Sequence, residues 1–407
     1  MAARRRVAIL GAGAAGTMAA IFAASADAQT LLLERTPDGG RKILISGGGR
    51  CNVLPARSQP ARFVTDSTPR ALQRMLRAWP LREQILFFEN ELGIPLSEEP
   101  ETGKLFPASN RARDVRDALL RLSRRRGATF LPDTLVTDIE TDGGRFRIAR
   151  EGAPPIEADA VIVATGGLSV PKSGSDGRLV PILARLGHTI RTTYPALTPL
   201  TAPPSAYANL AGVSLPVSLR AASDGRAAAA SGGFLFTHRG YSGPTILDVS
   251  HVAVRDPDAR LAVRWTNLDE RGWEDALKPS GSRGAAAVLR TRLPERLAAA
   301  ILGAAGVDAN RRLDQLTRDE RRRLIETLVR GPLPWNGHEG YAKAEVTGGG
   351  VSLDEVEPAT MESRKVPRLF LCGEILDAFG PIGGHNFQWA WSTGRSAGLG
   401  AARGEAG

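Results

Sequence analysis

The first 34 residues constrain the fold of this chain more than any other segment. An apolar run, Val7–Leu10, leads into Gly11–Gly16, in which three glycines have the spacing G-x-G-x-x-G. A second apolar stretch, Leu31–Leu33, ends on the carboxylate of Glu34. This order predicts a buried strand, a tight turn, a helix and a second parallel strand, which together open a doubly wound α/β fold.

Each part of this turn has a mechanical role. Gly11 makes the tight turn, Gly13 lets the backbone approach a pyrophosphate, and Gly16 lets the helix pack close to the sheet. The helix begins at Ala14–Ala15, where free N–H groups and a partial positive charge face the phosphates. Glu34 suits a ribose 2′-hydroxyl, so the motif predicts FAD or NAD rather than NADP.

Composition narrows the class of protein. With 407 residues, 42% of them apolar, the chain is long enough for two or three domains with full cores. No apolar stretch approaches the roughly 18 residues that cross a bilayer. Only two cysteines occur, Cys51 and Cys372, which fits a reducing compartment and gives no disulfide framework. The arginines before the first strand resemble the start of a signal peptide, but the complete βαβ unit favours a cytoplasmic domain.

The net charge of +10 suggests a polyanionic partner such as RNA. A second interpretation stays open, because arginine is abundant beside many alanines, as in a genome with biased composition. Several arginine runs, such as 318–323, also alternate with acids like a solvated helix face. No His, Asp, Glu or Cys cluster has metal-ligand spacing, so no metal is predicted.

Changes in composition and hydrophobic pattern along the chain predict three parts. Residues 1–190 plus 340–407 are predicted to form one Rossmann-like FAD-binding domain in two segments, because Leu369–Glu374 resembles a strand returning to the first sheet. Residues 191–270 are rich in proline and short alternating runs, which predicts an inserted β-barrel-like substrate domain. Residues 271–339 are predicted to form a helical subdomain, with a capping box at Thr317–Glu320.

Two further segments favour a resident FAD. Ala164, Thr165, Gly166 and Gly167 end a predicted strand on residues small enough for a cofactor to lie against the backbone. Gly373 and Glu374 follow the C-terminal strand, with Asp377 close behind, and an acid there suits a ribityl chain. Because the G-x-G-x-x-G motif occurs once, the sequence predicts one tightly held FAD and a transient NADH or NADPH donor.

Two glycine-rich segments, Ser46–Asn52 and Gly383–Trp391, carry the candidate catalytic residues. In the first, the glycines offer backbone N–H groups to a phosphate or a flavin edge, Arg50 adds charge, and Cys51 is either a proton donor or a small packing residue. In the second, a helix start would stabilise an anionic flavin, and His385 is either an acid/base or a polar wall. The predicted contacts here are Ser46, Gly47, Gly49, Arg50, Cys51, Asn52, Gly384, His385, Asn386, Phe387 and Gln388.

Taken together, these segments resemble the BaiN/RdsA family, the YhiN-like bacterial flavoproteins. The resemblance is carried by Gly11–Gly16, Arg41–Asn52, Phe106–Ser109, Ala164–Gly167, Gly187–His188, Thr237–Pro244, Val346–Val351, Thr360–Ser363 and Gly373–Trp391. It implies non-covalent FAD in a two-segment domain with β-rich and helical inserts. The cofactor-binding set predicted with it also includes Arg35, Arg41, Lys42 and Val136.

Activities described in that family differ, so three hypotheses stay open. The first is an NAD(P)H-driven reductase that converts a 23S rRNA uridine to dihydrouridine, with hydride from flavin N5 and a proton from Cys51 or His385. The second is a small-molecule amine oxidase acting on a substrate such as aminoacetone. The third is a non-catalytic, flavin-bearing RNA-binding protein.

Overall fold

The computed structural model describes residues 4–203, 208–279 and 283–403. The chain forms two compact units. One is built from the residues before Pro195 together with those after Ala344, and the other is Pro195–Ala344. We call them the discontinuous unit and the insert.

The elements of the two units follow in chain order. The strands are β1 (Arg6–Leu10), β2 (Gln29–Leu33), β3 (Leu54–Pro55), β4 (Leu96–Glu99), β5 (Lys104–Pro107), β6 (Thr129–Leu131), β7 (Val136–Asp142), β8 (Arg145–Arg150), β9 (Ala153–Ala158), β10 (Ala160–Val163), β11 (Ile190–Ala196), β12 (Leu200–Thr201), β13 (Ser214–Ser223), β14 (Arg226–Phe236), β15 (Gly240–Ser242), β16 (Arg260–Arg264), β17 (Gly331–Pro332), β18 (Gly337–His338), β19 (Val346–Val351) and β20 (Leu369–Leu371). The helices are α1 (Ala14–Ser25), α2 (Arg41–Ile45), α3 (Pro69–Arg77), α4 (Leu81–Leu86), α5 (Ala112–Arg125), α6 (Val180–Arg185), α7 (Pro244–Arg255), α8 (Glu270–Ala276), α9 (Ala285–Arg290), α10 (Glu295–Ala304), α11 (Arg318–Arg330) and α12 (His385–Ala402).

The discontinuous unit is built on a five-stranded parallel sheet of order β20-β10-β1-β2-β6. Ile9 lies between Leu32 and Ile162, and all three are buried. Continuous apolar strands of this kind are typical of a parallel sheet that is covered on both faces. The C-terminal strand pairs at one edge beside β10. The predicted doubly wound α/β fold is therefore confirmed.

Two glycines let α12 pack directly against α1. A Cβ at Gly394 would lie 2.4 Å from the Ala15 carbonyl oxygen, and one at Gly398 would lie 2.4 Å from that of Ala19. Both helices are made largely of small residues, so their backbones approach closely. This contact ties the last helix of the chain to the helix that follows the glycine turn.

Smaller antiparallel sheets surround this core. The runs Leu135–Ile139 and Arg145–Ala149, with the turn Asp142–Gly144 between them, predict a pair of strands. These form β7 and β8, and β9 adds a third strand to them. Two helix starts differ in detail from the starts that the sequence predicts. Asn110 stands before a run with Val115 and Leu119 on one helical face, which predicts a helix start there. The helix α5 begins instead at Ala112, because Asn110 has a left-handed φ of 53° in the preceding turn. Thr68 caps α3 by position, without a side-chain hydrogen bond.

The insert contains a seven-stranded sheet of order β17-β16-β13-β14-β15-β12-β18. One hydrophobic core joins residues of this sheet, such as Val263, to residues of the later helices, such as Leu324. The predicted capping box is confirmed, since Thr317 and Glu320 bond each other's backbone N–H. The subdivision of the insert at residue 270 remains a prediction, because elements on both sides of that position share this core.

Candidate functional site

The glycine turn after β1 is shaped by two very close backbone approaches. Gly11 has a φ of 101°, and a Cβ there would lie 2.7 Å from the Ala164 carbonyl oxygen. A Cβ at Gly16 would lie 1.8 Å from the Gly11 carbonyl oxygen. Neither position therefore accepts another residue. The same contacts bring the end of β10, with Ala164 and Thr165, against the turn.

Gly13 differs from these two glycines because no described residue crowds it. No heavy atom of the described residues lies within 4 Å of a Cβ built there, and its φ of −76° suits any residue. Nearby, the Thr165 hydroxyl is buried without a hydrogen-bond partner among the described residues. Open space at a helix start and an orphaned hydroxyl fit a polar ligand. We therefore find that the residues present suit the dinucleotide predicted from the sequence.

Glu34 is held in position by the same turn. Its Oε2 accepts the Ala12 N–H at 2.8 Å, and its Oε1 accepts the Thr36 N–H and hydroxyl at 2.9 and 2.7 Å. A carboxylate oxygen accepts two hydrogen bonds, so Oε2 keeps one position for a ribose hydroxyl. Val136 is buried at the start of β7, two residues after Thr134, whose N–H bonds the Glu34 carbonyl.

A partly buried polar network joins two of the predicted residues, Lys42 and Glu374, with two that sequence reasoning missed. Lys42 Nζ lies 2.7 Å from Glu374 Oε2 and 2.6 Å from Ser169 Oγ. Glu374 Oε1 accepts the Ser169 hydroxyl at 2.5 Å and the Thr347 N–H at 3.0 Å. A Cβ at Gly167 would strike Thr347 and lie 3.0 Å from Glu374 Oε1. This network therefore fixes the backbone at Gly166–Gly167.

The missed residues had only a weak local signal. Thr347 lies in the glycine-rich run Val346–Val351, which carries part of the family resemblance but contains no predicted cofactor contact. Ser169 lies in an ordinary loop. The three predicted arginines lie at the surface, where Arg35 pairs with Asp176, Arg41 with Asp38 and Arg50 with Glu99.

The glycine segment before Cys51 is exposed, and its ends are anchored. Gly47, Gly48 and Gly49 all have left-handed backbone conformations and lie at the surface. On one side the Ser46 hydroxyl bonds the Ile43 carbonyl, and on the other the Arg50 guanidinium lies 4.0 Å from the centre of the Phe106 ring. The three glycines therefore expose their backbone between two anchored ends.

Cys51 and Asn52 lie beneath this segment. Cys51 is fully buried in a cluster of apolar side chains, and burial raises the pKa of its thiol to about 12. With its amide oriented to pair both ends, Asn52 donates to the Leu54 carbonyl and accepts the Gly384 N–H at 3.1 Å. The segment around Cys51 is therefore joined to the start of α12.

His385 is the first residue of α12 and is only 4% exposed. Gly384 has a φ of 89°, and a Cβ there would lie 2.4 Å from the Leu54 backbone. The ring places Nδ1 3.2 Å from the Ile382 carbonyl, and Nε2 is buried without a hydrogen bond of normal geometry among the described residues. Burial lowers the pKa of His385 to about 4, although the Ile382 and Arg57 backbones oppose this effect. The imidazole is therefore neutral at pH 7.

The remaining polar residues of the C-terminal segment bond the protein itself. Asp377 Oδ2 accepts the Ser67 hydroxyl at 2.7 Å, the Asp66 N–H at 2.9 Å and the Thr65 hydroxyl at 3.1 Å. Burial raises the pKa of this carboxyl. Asn386 bonds both backbone groups of Gly380. The cofactor contacts assigned to Asp377 and Asn386 remain predictions.

The aromatic and amide side chains that follow pack inside the discontinuous unit. Gln388 donates to the Ser58 hydroxyl at 2.9 Å, and the Phe387 ring stacks on that of Trp391. Trp389 is 2% exposed and donates to the Gly373 carbonyl, while Trp391 is fully buried. Both tryptophans therefore have a packing role. Among the described residues no group of His, Cys, Asp and Glu could hold a metal ion, and no described helix is long and apolar enough to span a membrane.

A parallel sheet with a glycine turn and an oriented carboxylate fits an enzyme that binds a dinucleotide, and comparison with known proteins identifies an FAD-dependent oxidoreductase. A family model described as "HI0933-like protein Rossmann domain" matches residues 5–400, and the chain belongs to this HI0933-like family. It is 33% identical to a ribosomal RNA dihydrouridine synthase of Escherichia coli, over 95% of both chains. It is 31% identical to a 3-dehydro-bile acid delta(4,6)-reductase of Clostridium scindens, over 98% of this chain and 99% of the relative.

Solved structures share the fold at much lower identity. A 3-ketosteroid-delta4-(5alpha)-dehydrogenase from Rhodococcus jostii matches with a TM-score of 0.50 and 16% identity, over 98% of this chain and 97% of its own. A flavocytochrome c3 fumarate reductase matches with a TM-score of 0.52 and 14% identity, over 98% and 78%. These structures support the architecture alone.

Proposed function

We propose that this protein is a cytoplasmic, NAD(P)H-driven reductase that converts a uridine of 23S rRNA to dihydrouridine. The observation that carries the proposal is full-length similarity to ribosomal RNA dihydrouridine synthases. The chain is 33% identical to the enzyme named so in Escherichia coli and 29% identical to that of Haemophilus influenzae, over at least 95% of each chain. The geometry around the glycine turn supports the FAD-binding part of the proposal.

The residues around the glycine turn would hold the cofactor. The N-terminus of α1 and the space beside Gly13 would receive the pyrophosphate, and Glu34 Oε2 would accept a ribose hydroxyl. The unpaired Thr165 hydroxyl would gain a partner. When bound, FAD would supply hydride for the substrate after taking it from a nicotinamide.

Reduction of a uracil ring also needs a proton at the neighbouring carbon. We assign its delivery to His385 and not to Cys51, because the Cys51 thiol is a weak acid enclosed by apolar side chains. Nε2 of His385 has no hydrogen bond of normal geometry among the described residues. The ring is neutral when nothing is bound, but a negative charge beside it raises its pKa. Proton delivery by His385 therefore depends on ligand binding.

The direct test maps dihydrouridine in 23S rRNA from a strain that lacks this protein. We expect one uridine to stay unreduced, and the wild-type protein to restore the modification. His385→Asn should restore little, whereas Cys51→Ser should restore most of it. Unchanged rRNA in the deletion strain would remove the proposal. Full restoration by His385→Asn would remove only the assignment of the proton donor.

A small molecule is the second candidate substrate. The 31% identity to a bile acid reductase over nearly the whole chain favours reduction of a small conjugated compound. Purified protein supplied with NADH or NADPH separates the possibilities. Turnover that requires 23S rRNA supports the first proposal, and turnover of an enone without RNA supports the second. Peroxide release with aminoacetone would indicate the amine oxidase. RNA binding without any turnover would indicate the non-catalytic protein.

A further inference from the structure

The sheet of the insert has one buried and one exposed face. On β13 and β16 the side chains of Val217, Leu219, Leu261 and Val263 belong to the hydrophobic core. The alternate residues of these strands point to the opposite side, because successive side chains of a strand face opposite ways. That opposite side carries charge.

The strand register places three arginines on this exposed side. Residues paired directly across neighbouring strands share a face, and the Ser218 and Ser231 hydroxyls, which pair in this way, lie 2.8 Å apart. Three rows of paired residues result, which we call the arginine face: Arg260, Ala222 and Ala227; Ala262, Arg220 and Ala229; Arg264, Ser218 and Ser231. Arg220 therefore lies on the central strand between Arg260 and Arg264 on its neighbour.

Among the described residues, no carboxylate pairs with the three arginines of the arginine face. Within the part of the chain that the structure describes, Arg220, Arg260 and Arg264 form no ion pair and no side-chain hydrogen bond. Several other arginines of the insert are paired with carboxylates instead. The guanidinium groups of Arg290 and Arg312, for example, bond carboxylates at 3.0 and 2.8 Å.

The side chains between the arginines are all small. Every other position in the three rows is alanine or serine, so a bulky polyanion can approach the strands closely. The rows offer no large apolar side chain, which a membrane-binding surface would need. Guanidinium groups bind phosphate through paired N–H donors. The chemistry of this face therefore favours a phosphate backbone.

We propose that the arginine face binds the phosphate backbone of the RNA substrate. The inference rests on the proposed function, because it assigns a docking surface to that substrate. Contacts to phosphate supply affinity and position the RNA without selecting its sequence. Each neutralised phosphate also makes binding more sensitive to salt.

The test compares two triple variants of the FAD-loaded protein. R220A/R260A/R264A removes the arginine face. R290A/R312A/R322A is the matched control, because it removes the same charge from arginines that are paired with carboxylates. Binding of a 23S rRNA transcript is measured over a range of salt concentrations. We expect the first variant to bind at least tenfold more weakly, with a salt slope smaller by about two, and the control to bind nearly as the wild type does. NAD(P)H oxidation without RNA should match in all three.

The contradicting outcomes are distinct. If the wild type binds RNA and R220A/R260A/R264A binds it equally well, the arginine face is wrong and the proposed function stands. Equal losses in both variants would also overturn the inference, since net charge alone would explain them. If the wild type binds no RNA, the inference and the proposed rRNA substrate both fail. Loss of binding to phosphatidylserine vesicles, with RNA binding intact, would assign the face to a membrane and overturn the inference.

Discussion

The glycine turn after β1 and the C-terminal segment from Gly373 to Trp391 are both rich in glycine but use their polar groups differently. The turn leaves space and a hydrogen-bonding group available to a ligand. Gly13 borders open space, and the Thr165 hydroxyl has no partner among the described residues. In the C-terminal segment, Asp377 and Asn386 bond the backbone and side chains of neighbouring loops. His385 is the exception, because its Nε2 has no hydrogen bond of normal geometry within the described part of the chain.

This difference shows what a glycine-rich motif can indicate. Glycines and polar residues were predicted to contact the cofactor in both segments. A polar side chain that already makes three hydrogen bonds within the protein, as Asp377 does, shapes the site by holding loops. A group that is buried and unpaired is a better candidate for direct contact.

The largest effect is expected where glycine is required by the fold. Gly16→Ala would force a Cβ to within 1.8 Å of the Gly11 carbonyl. The turn must then shift, and we expect the free energy of unfolding to fall by about 3 kcal/mol, together with loss of FAD. Thermal unfolding and flavin content measure the two effects. Normal stability and normal FAD content in the Gly16→Ala variant would contradict the geometry of the turn.

Gly13→Ala separates ligand binding from folding. Its Cβ would occupy open space, so thermal stability should drop by no more than about 1 kcal/mol. The same methyl group would lie where the pyrophosphate approaches, so FAD affinity should fall at least tenfold, or roughly 1.4 kcal/mol. Gly303→Ala, in α10 and equally uncrowded, is the control and should bind FAD normally. Unchanged FAD affinity in the Gly13→Ala variant would place the cofactor elsewhere.

Asp377→Ala should show the opposite pattern. It leaves the Ser67 and Thr65 hydroxyls and the Asp66 N–H without their acceptor, which we expect to cost about 3 kcal/mol of stability. Asp377→Asn keeps an acceptor and should lose much less. Titration of the folded Asp377→Asn variant with FAD should give nearly wild-type affinity. A large loss of affinity in that variant would show that the carboxylate contacts the cofactor.

Acid should destabilise the discontinuous unit through His385. The unfolded state takes up a proton below a pKa of 6.5, and the folded state does so only near 4. The stability contributed by the neutral ring is therefore complete above pH 6.5 and is lost as the pH falls to 4, by up to roughly 3 kcal/mol. His385→Asn should flatten this part of the curve of unfolding midpoint against pH. His251→Asn, a buried histidine of the insert with the same shift, is the control for the other unit. An unchanged curve for the His385→Asn variant would show that the pKa of the ring does not differ between the folded and unfolded states.

Much of the fold could be predicted because its signals are local. The apolar run of β10 and the capping box at Thr317 lie within a few residues and depend on burial and backbone pairing. The polar contacts of the site had no such signal. Lys42 and Glu374 are 332 residues apart, and Ser67 and Asp377 are 310 apart. Only the folded sheet brings such groups together, so spacing along the chain cannot distinguish a cofactor contact from a loop contact.

The visible spectrum of the purified protein tests the central claim most directly. We expect the absorption bands of oxidised flavin, with released FAD stoichiometric with the chain, and bleaching under anaerobic NADH or NADPH. The Gly13→Ala variant prepared in parallel should be folded and contain less FAD than the wild type. A colourless wild-type protein that does not take up added FAD would contradict the account.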